Sequence, residues 1–161
     1  MSQTAKATTT DEHPIVHGTF SVERHYPADP ARVFNAYADE ATKRRWFVEG
    51  EGWDIYEYKM DFRVDGAEMS RFSYQGGPEI RFDGIYQGII PNRRIVLMYR
   101  MEIAGKPLSV SLCTTEIVPS KGGTLLTYTE QGAYFGSEDD VKNREHGCRE
   151  LLEKLAVELA G

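Results

Sequence analysis

Residues 123–160 read GTLLTYTEQGAYFGSEDDVKNREHGCRELLEKLAVELA, and a change of period inside this stretch decides the fold. Over 123–131 residues alternate. Leu126, Tyr128 and Glu130 share one face, and Leu125, Thr127 and Thr129 share the other, the mark of a half-buried strand. From Glu138 to Ala160 the period becomes helical. Val141, Cys148, Leu151, Leu152, Leu155 and Leu159 form an apolar stripe, with Lys142, Glu153, Lys154 and Glu158 opposite. This predicts an amphipathic helix of about six turns that must lie on a large apolar surface.

Toward the N-terminus the strand signal repeats, in runs over 53–63, 67–75, 79–90, 93–104 and 107–118. Between them stand Asp65-Gly66, Gly76-Gly77-Pro78, Pro91-Asn92, Gly105-Lys106-Pro107 and Lys121-Gly122-Gly123. Connections this short force antiparallel neighbours. Residues 16–26, VHGTFSVERHY, alternate as a further strand. In 27–47, PADPARVFNAYADEATKRRWF, the period turns helical. Asp29 is an N-cap with Pro30 at the first helical position, and Asp39 caps a second short helix that ends near Trp46.

The order is strand, two short helices, six strands, long helix. It predicts an α+β domain in which a seven-stranded curved antiparallel sheet wraps round the long C-terminal helix. The space between sheet, long helix and short helices is a natural cavity for an apolar ligand, unless the many aromatic side chains fill it. Residues 1–14 read as a disordered polar tail and 15–161 as one domain. Of the outer face, the alternation over 79–90 and 107–118 predicts a mostly polar surface. Arg81, Asp83, Arg71 and Glu68 are expected to form cross-strand pairs there.

The formal charge of −6 in 161 residues excludes a nucleic-acid footprint, since Lys43-Arg44-Arg45 and Arg93-Arg94 are too few to offset it. The two cysteines, Cys113 and Cys148, read as buried thiols, and no Cys/His spacing points to a metal. No nucleophile elbow, phosphate loop or dinucleotide fingerprint occurs, so any chemistry is cofactor-free acid–base work. The N-terminus has no apolar signal core and nothing is long enough to span a membrane, so a cytoplasmic protein, monomer or homodimer, is expected.

The stretches VERHYPADPARVFNAYAD, RRWF, MDFRVDGAEMSRF, RFDGIYQGIIPNRRIVLMYRM, GTLLTYTEQGAYF and REHGCRELLEKLA, in this order and spacing, carry a family resemblance over about 16–160. The chain resembles the START-like (SRPBCC, Bet v-like) helix-grip superfamily. Within it, the chain is similar to the branch of the activator of the ninety-kilodalton heat-shock protein ATPase and of polyketide-cyclase-like proteins. The resemblance implies a pocket but not one activity. Similar members bind hydrophobic small molecules, cyclise polyketides or stimulate a chaperone ATPase. Where many members carry Gly-Gly and Gly-Trp, this chain has Gly66-Ala67 and Gly147-Cys148; the lost indole is expected to leave space beside the long helix. The chaperone co-activator usually carries a separate N-terminal domain, which fourteen residues cannot supply.

Within this frame Glu130 points inward at a strand end and is a candidate general base at the cavity rim. Arg144 lies on the inward side of the helix, and a Glu130–Arg144 ion pair closing one end of the cavity is expected. His146 falls on the flank and His25 is structural. Trp46, Tyr74, Tyr86, Tyr99, Tyr128, Cys148 and Leu152 are the candidate ligand-lining residues. Tyr74, Tyr86, Tyr128 and Arg144 are the candidate carbonyl polarisers. The leading expectation is a binding protein for a hydrophobic or aromatic small molecule. The alternatives are a cofactor-independent cyclase, dehydratase or hydrolase-like enzyme, and a chaperone-binding module.

Overall fold

The computed structural model describes residues 14–136 and 138–161. Apart from Pro14, the tail expected over 1–14 lies outside the described residues. Strand β1 (Val16–Tyr26) leads into α1 (Pro30–Ala38), α2 (Glu40–Lys43) and a π-helical turn (Arg44–Val48). Six strands follow: β2 (Trp53–Met60), β3 (Ala67–Tyr74), β4 (Ile80–Ile90), β5 (Arg94–Ile103), β6 (Lys106–Ser120) and β7 (Gly123–Tyr134). Helix α3 (Glu138–Ala160) closes the chain. The sheet is antiparallel and seven-stranded, in the order β1-β7-β6-β5-β4-β3-β2. The meander runs from β2 to β7, and β1 pairs outside β7 because the helices interrupt the chain after it.

Local chemistry accounts for the boundaries. Asp29 accepts from the Arg32 amide at 2.8 Å and Asp39 from the Thr42 amide at 3.0 Å, so each short helix has its N-cap. The loops Ala104-Gly105 and Lys121-Gly122 join their strands in two residues, both with positive φ (50° and 76°; 49° and 75°). That twist suits a hairpin, and only the glycine at the second position adopts it without strain. Gly66 is required for a different reason. A Cβ there would lie 2.1 Å from the Asp61 carbonyl oxygen.

The core lies between the concave sheet face and α3, with Tyr26, Val33, Leu126 and Leu155 all fully buried. Two expectations about the other face need correction. Glu68 is not on it: it shares the concave side of β3 with Ser70 and is completely buried. Arg71, one residue out of phase, stays outside and pairs with Glu79 (2.6 Å) and Glu57 (3.5 Å), while Arg81 pairs with Asp83 (2.7 Å). Nor is the outer face polar throughout. Register brings Ile85, Met98 and Leu112 into one row across β4, β5 and β6. With Val110 beside them they are 38–44% exposed, an apolar band that the pattern of single strands hides. No helix is long and apolar enough to cross a membrane, among the described residues.

Candidate functional site

Glu130 is the centre of the concave face. Strand β7 runs on to Tyr134, so this carboxylate sits inside the strand, completely buried, rather than at a rim. Its Oε1 accepts from the Tyr128 hydroxyl at 2.6 Å and its Oε2 from Ser111 (3.0 Å) and Tyr134 (3.1 Å). The Tyr99 hydroxyl lies 2.8 and 2.9 Å from the two oxygens. Arg144, reaching in from α3, donates to Glu130 Oε2 at 3.2 Å, to the Tyr99 oxygen at 2.7 Å and to Ser109 Oγ at 2.8 Å. The sheet register sets this up: Cys113 is opposite Glu130, Ser111 opposite both Gly132 and Tyr99, and Ser109 opposite Tyr134.

A carboxylate has about four lone-pair positions. Four hydroxyls and a guanidinium occupy those of Glu130, which leaves none directed at a substrate proton. The arrangement holds a charge; it does not present a base. Burial first, and the Glu130 carboxylate second, push the Tyr99 and Tyr134 hydroxyls above their ordinary value. Burial also raises Tyr128. All three therefore stay proton donors at neutral pH. Burial works against the charge of Arg144, but Tyr99 and Glu130 outweigh it and its pKa is raised. Cys113 and Cys148 approach Glu130 Oε1 at 3.5 and 3.8 Å. Burial, then Glu130, raises Cys113, and the same causes push Cys148 up to about 12, so both remain thiols.

Phe47, Phe72, Leu97, Met101 and Tyr128 pack against the buried Phe82, Tyr99 and Cys113 but stay only partly buried. Arg144, with 13% of its side chain exposed, sits at the same end. Among the residues singled out from sequence, the structure gathers Glu130, Arg144, Tyr99, Tyr128 and Cys148. It separates four others. Trp46 is buried, with its indole donating to the Ala36 carbonyl at 2.8 Å and its ring edge-on to Tyr37. Leu152, on α3, is buried in the main core, and its carbonyl accepts from the Tyr26 hydroxyl at 2.8 Å. Tyr74 is 45% exposed beside Trp53, at the outer end of β3. Tyr86 donates its hydroxyl to Glu68, so it polarises nothing else. His146 pairs with Glu150 on the exposed flank of α3, and His25 bonds the Ser120 carbonyl.

Sequence reasoning missed Tyr134, Ser109 and Ser111, although the alternation of Ser109, Ser111, Cys113 and Thr115 on β6 was a readable signal. It also missed Lys43, which entered only as part of the basic run Lys43-Arg44-Arg45 and is 4% exposed. Its ammonium meets Glu68 at 2.6 Å. Among the described residues no group of three or more His, Cys, Asp and Glu is placed to hold a metal. A separate depression of about 520 Å³ lies on the outer face, along Thr19, Met98, Val110, Leu112 and Gln131. The exposure of its apolar residues makes it an open surface rather than an enclosure, and it is on the opposite side of the sheet from the polar network.

The family described as "Activator of Hsp90 ATPase homolog 1-like protein" matches residues 27–160. Of solved structures, the Mll3558 protein from Rhizobium loti is 56% identical, with a TM-score of 0.85, over 91% of this chain and 100% of that one. An uncharacterized protein from Rhizobium leguminosarum is 33% identical, with a TM-score of 0.87, over 91% and 97%. The CV1439 protein from Chromobacterium violaceum is 26% identical, with a TM-score of 0.74, over 89% and 97%. None of the curated proteins matches the chain.

Proposed function

Since the chain belongs to the family of Activator of Hsp90 ATPase homolog 1-like proteins, we propose that it binds an apolar small molecule between the sheet and the long helix. The ligand lies on the concave face and directs a hydrogen-bond acceptor, a carbonyl or carboxylate, at Arg144. One observation carries this reading: the half-buried Phe47, Phe72, Leu97, Met101 and Tyr128 surround a buried network whose charge is already satisfied. A wall of partly buried apolar and aromatic side chains beside a few fixed polar groups is the lining that an apolar ligand covers. Arg144 fits an acceptor because a guanidinium has five N–H donors, and among the described residues Glu130, Tyr99 and Ser109 take only part of them.

Binding is favoured over turnover because Glu130 has no open lone pair. A cofactor-free cyclase would have to find its base elsewhere. The test is native mass spectrometry of the purified protein, followed by a thermal-shift screen with aromatic ketones, polyphenols and fatty acids. A retained or stabilising small molecule, lost on Arg144→Met, supports the reading. A broad library without a hit removes it.

A second reading, a protein-binding module, has the exposed band of Ile85, Met98, Val110 and Leu112 in its favour. Pull-down with a Met98→Lys, Leu112→Lys control tests it. A partner retained by wild type and released by the control would support this reading instead.

A further inference from the structure

The second buried ion pair has polar groups left over. Glu68 Oε1 accepts from Lys43 Nζ at 2.6 Å and from the Tyr86 hydroxyl. Glu68 Oε2, equally buried, has no partner among the described residues. Lys43 carries three donors, and among the described residues Glu68 is its only acceptor. Otherwise the ammonium rests on the rings of Phe47 (4.6 Å) and Tyr37 (5.7 Å). Native proteins seldom leave a buried carboxylate oxygen unpaired. Here an open acceptor and open donors sit side by side. A hydroxyl matches both, donating to one and accepting from the other.

Two further features point the same way. Phe47 is presented by the π-helical turn Arg44–Val48, which Lys43, the last residue of α2, leads into and which the Glu49 amide closes onto the Arg44 carbonyl at 2.9 Å. Such turns are rare and recur at functional sites. The packing around this pair is also continuous with that around Arg144. Phe47, Leu97 and Tyr128 are the half-buried residues that pack against both core clusters. Phe47 meets Phe82 at 5.8 Å, Phe82 stacks on Tyr99 at 4.8 Å, and Tyr99 holds Arg144.

We propose that Lys43 and Glu68 form a hydroxyl-recognising subsite at the second end of the binding space. It rests on the ligand-binding reading above and deepens it. The ligand is an elongated apolar molecule with an acceptor at Arg144 and a hydroxyl that bridges Glu68 Oε2 and Lys43 Nζ. The half-buried Phe47 ring over Lys43 is the side chain such a ligand displaces.

Calorimetric titration with benzophenone and 4-hydroxybenzophenone tests this, because the two probes share the carbonyl and differ by one hydroxyl. Wild type is expected to bind the hydroxylated probe at least about tenfold more tightly. Removing one charge alone risks unfolding, so the variant is Lys43→Met with Glu68→Leu, which replaces the pair by apolar groups of similar volume. It should bind both probes equally, at the wild-type affinity for benzophenone. Tyr86→Phe keeps the pair and should keep the preference, whereas Arg144→Met should weaken both probes alike. If both probes bind wild type equally, or the preference survives in the double variant, the subsite is overturned while ligand binding stands. Binding of neither probe overturns both. So does a crystal structure with water on Glu68 Oε2 and the hydroxylated probe bound outside the concave face.

Discussion

Arg144→Met removes one half of a buried ion pair and leaves Glu130 in place. Glu130 is completely buried and Arg144 nearly so, with 13% of its side chain exposed. Stranding a buried charge costs about 3–5 kcal/mol when nothing else solvates it. Here the hydroxyls of Tyr99, Tyr128, Tyr134 and Ser111 remain within 3.1 Å of the carboxylate. They hold the cost at the lower end, about 3 kcal/mol, which lowers Tm by about 6–12 °C in a domain of this size. Adding Glu130→Gln removes the stranded charge, so the double variant should be more stable than Arg144→Met alone, by about 1 kcal/mol or more. Urea unfolding followed by the fluorescence of Trp46 and Trp53 reads all three proteins. The exposed pair Arg81–Asp83, at 45% and 43% exposure, is the control. Arg81→Ala should cost under about 0.5 kcal/mol. If Arg144→Met costs no more than the control, the charge accounting for this site is wrong.

The tyrosines set a pH limit. Burial raises Tyr26, Tyr58, Tyr86, Tyr99, Tyr128 and Tyr134 above the ordinary value of 10. A folded-state pKa above the unfolded one gives stability that is complete below pH 10 and lost as pH rises beyond it. The tyrosinate absorbance of these six should therefore appear together with loss of near-ultraviolet circular dichroism, rather than before it. Both thiols should resist alkylation at neutral pH and react only on unfolding, as judged by mass spectrometry with iodoacetamide; rapid native labelling would contradict their burial as thiols. Gly66→Ala places a Cβ 2.1 Å from a backbone oxygen and should cost at least about 2 kcal/mol in the same urea assay.

The fold was legible because its signals are local. Period changes at Gly123 and Glu138, N-caps at Asp29 and Asp39, and glycine-bearing turns each act within a few residues. The site was legible only where one element sufficed. The inward phase of Glu130 came from β7 and that of Arg144 from α3, and the structure brings the two together. Glu68 was misplaced because its partner, Lys43, comes from a helix 25 residues earlier, and strand alternation alone treats a carboxylate as solvent-facing. The outer apolar band was missed because it exists across β4, β5 and β6 in register, not along any of them. Tyr74 looked like a lining residue by chemistry. It stands at the last position of β3, where the ring is exposed beside Trp53.

Strand β5 carries two methionines on opposite sides of the sheet. Met101 lies in the half-buried lining of the concave face, and Met98 is 44% exposed on the outer face. The methyl resonances of both, followed by NMR during titration with benzophenone, test the central claim most directly. Concave-face binding predicts that the Met101 methyl shifts, with aromatic signals of Tyr128, while Met98 stays in place. A shift of Met98 with Met101 unmoved would put the ligand on the outer depression and contradict the account.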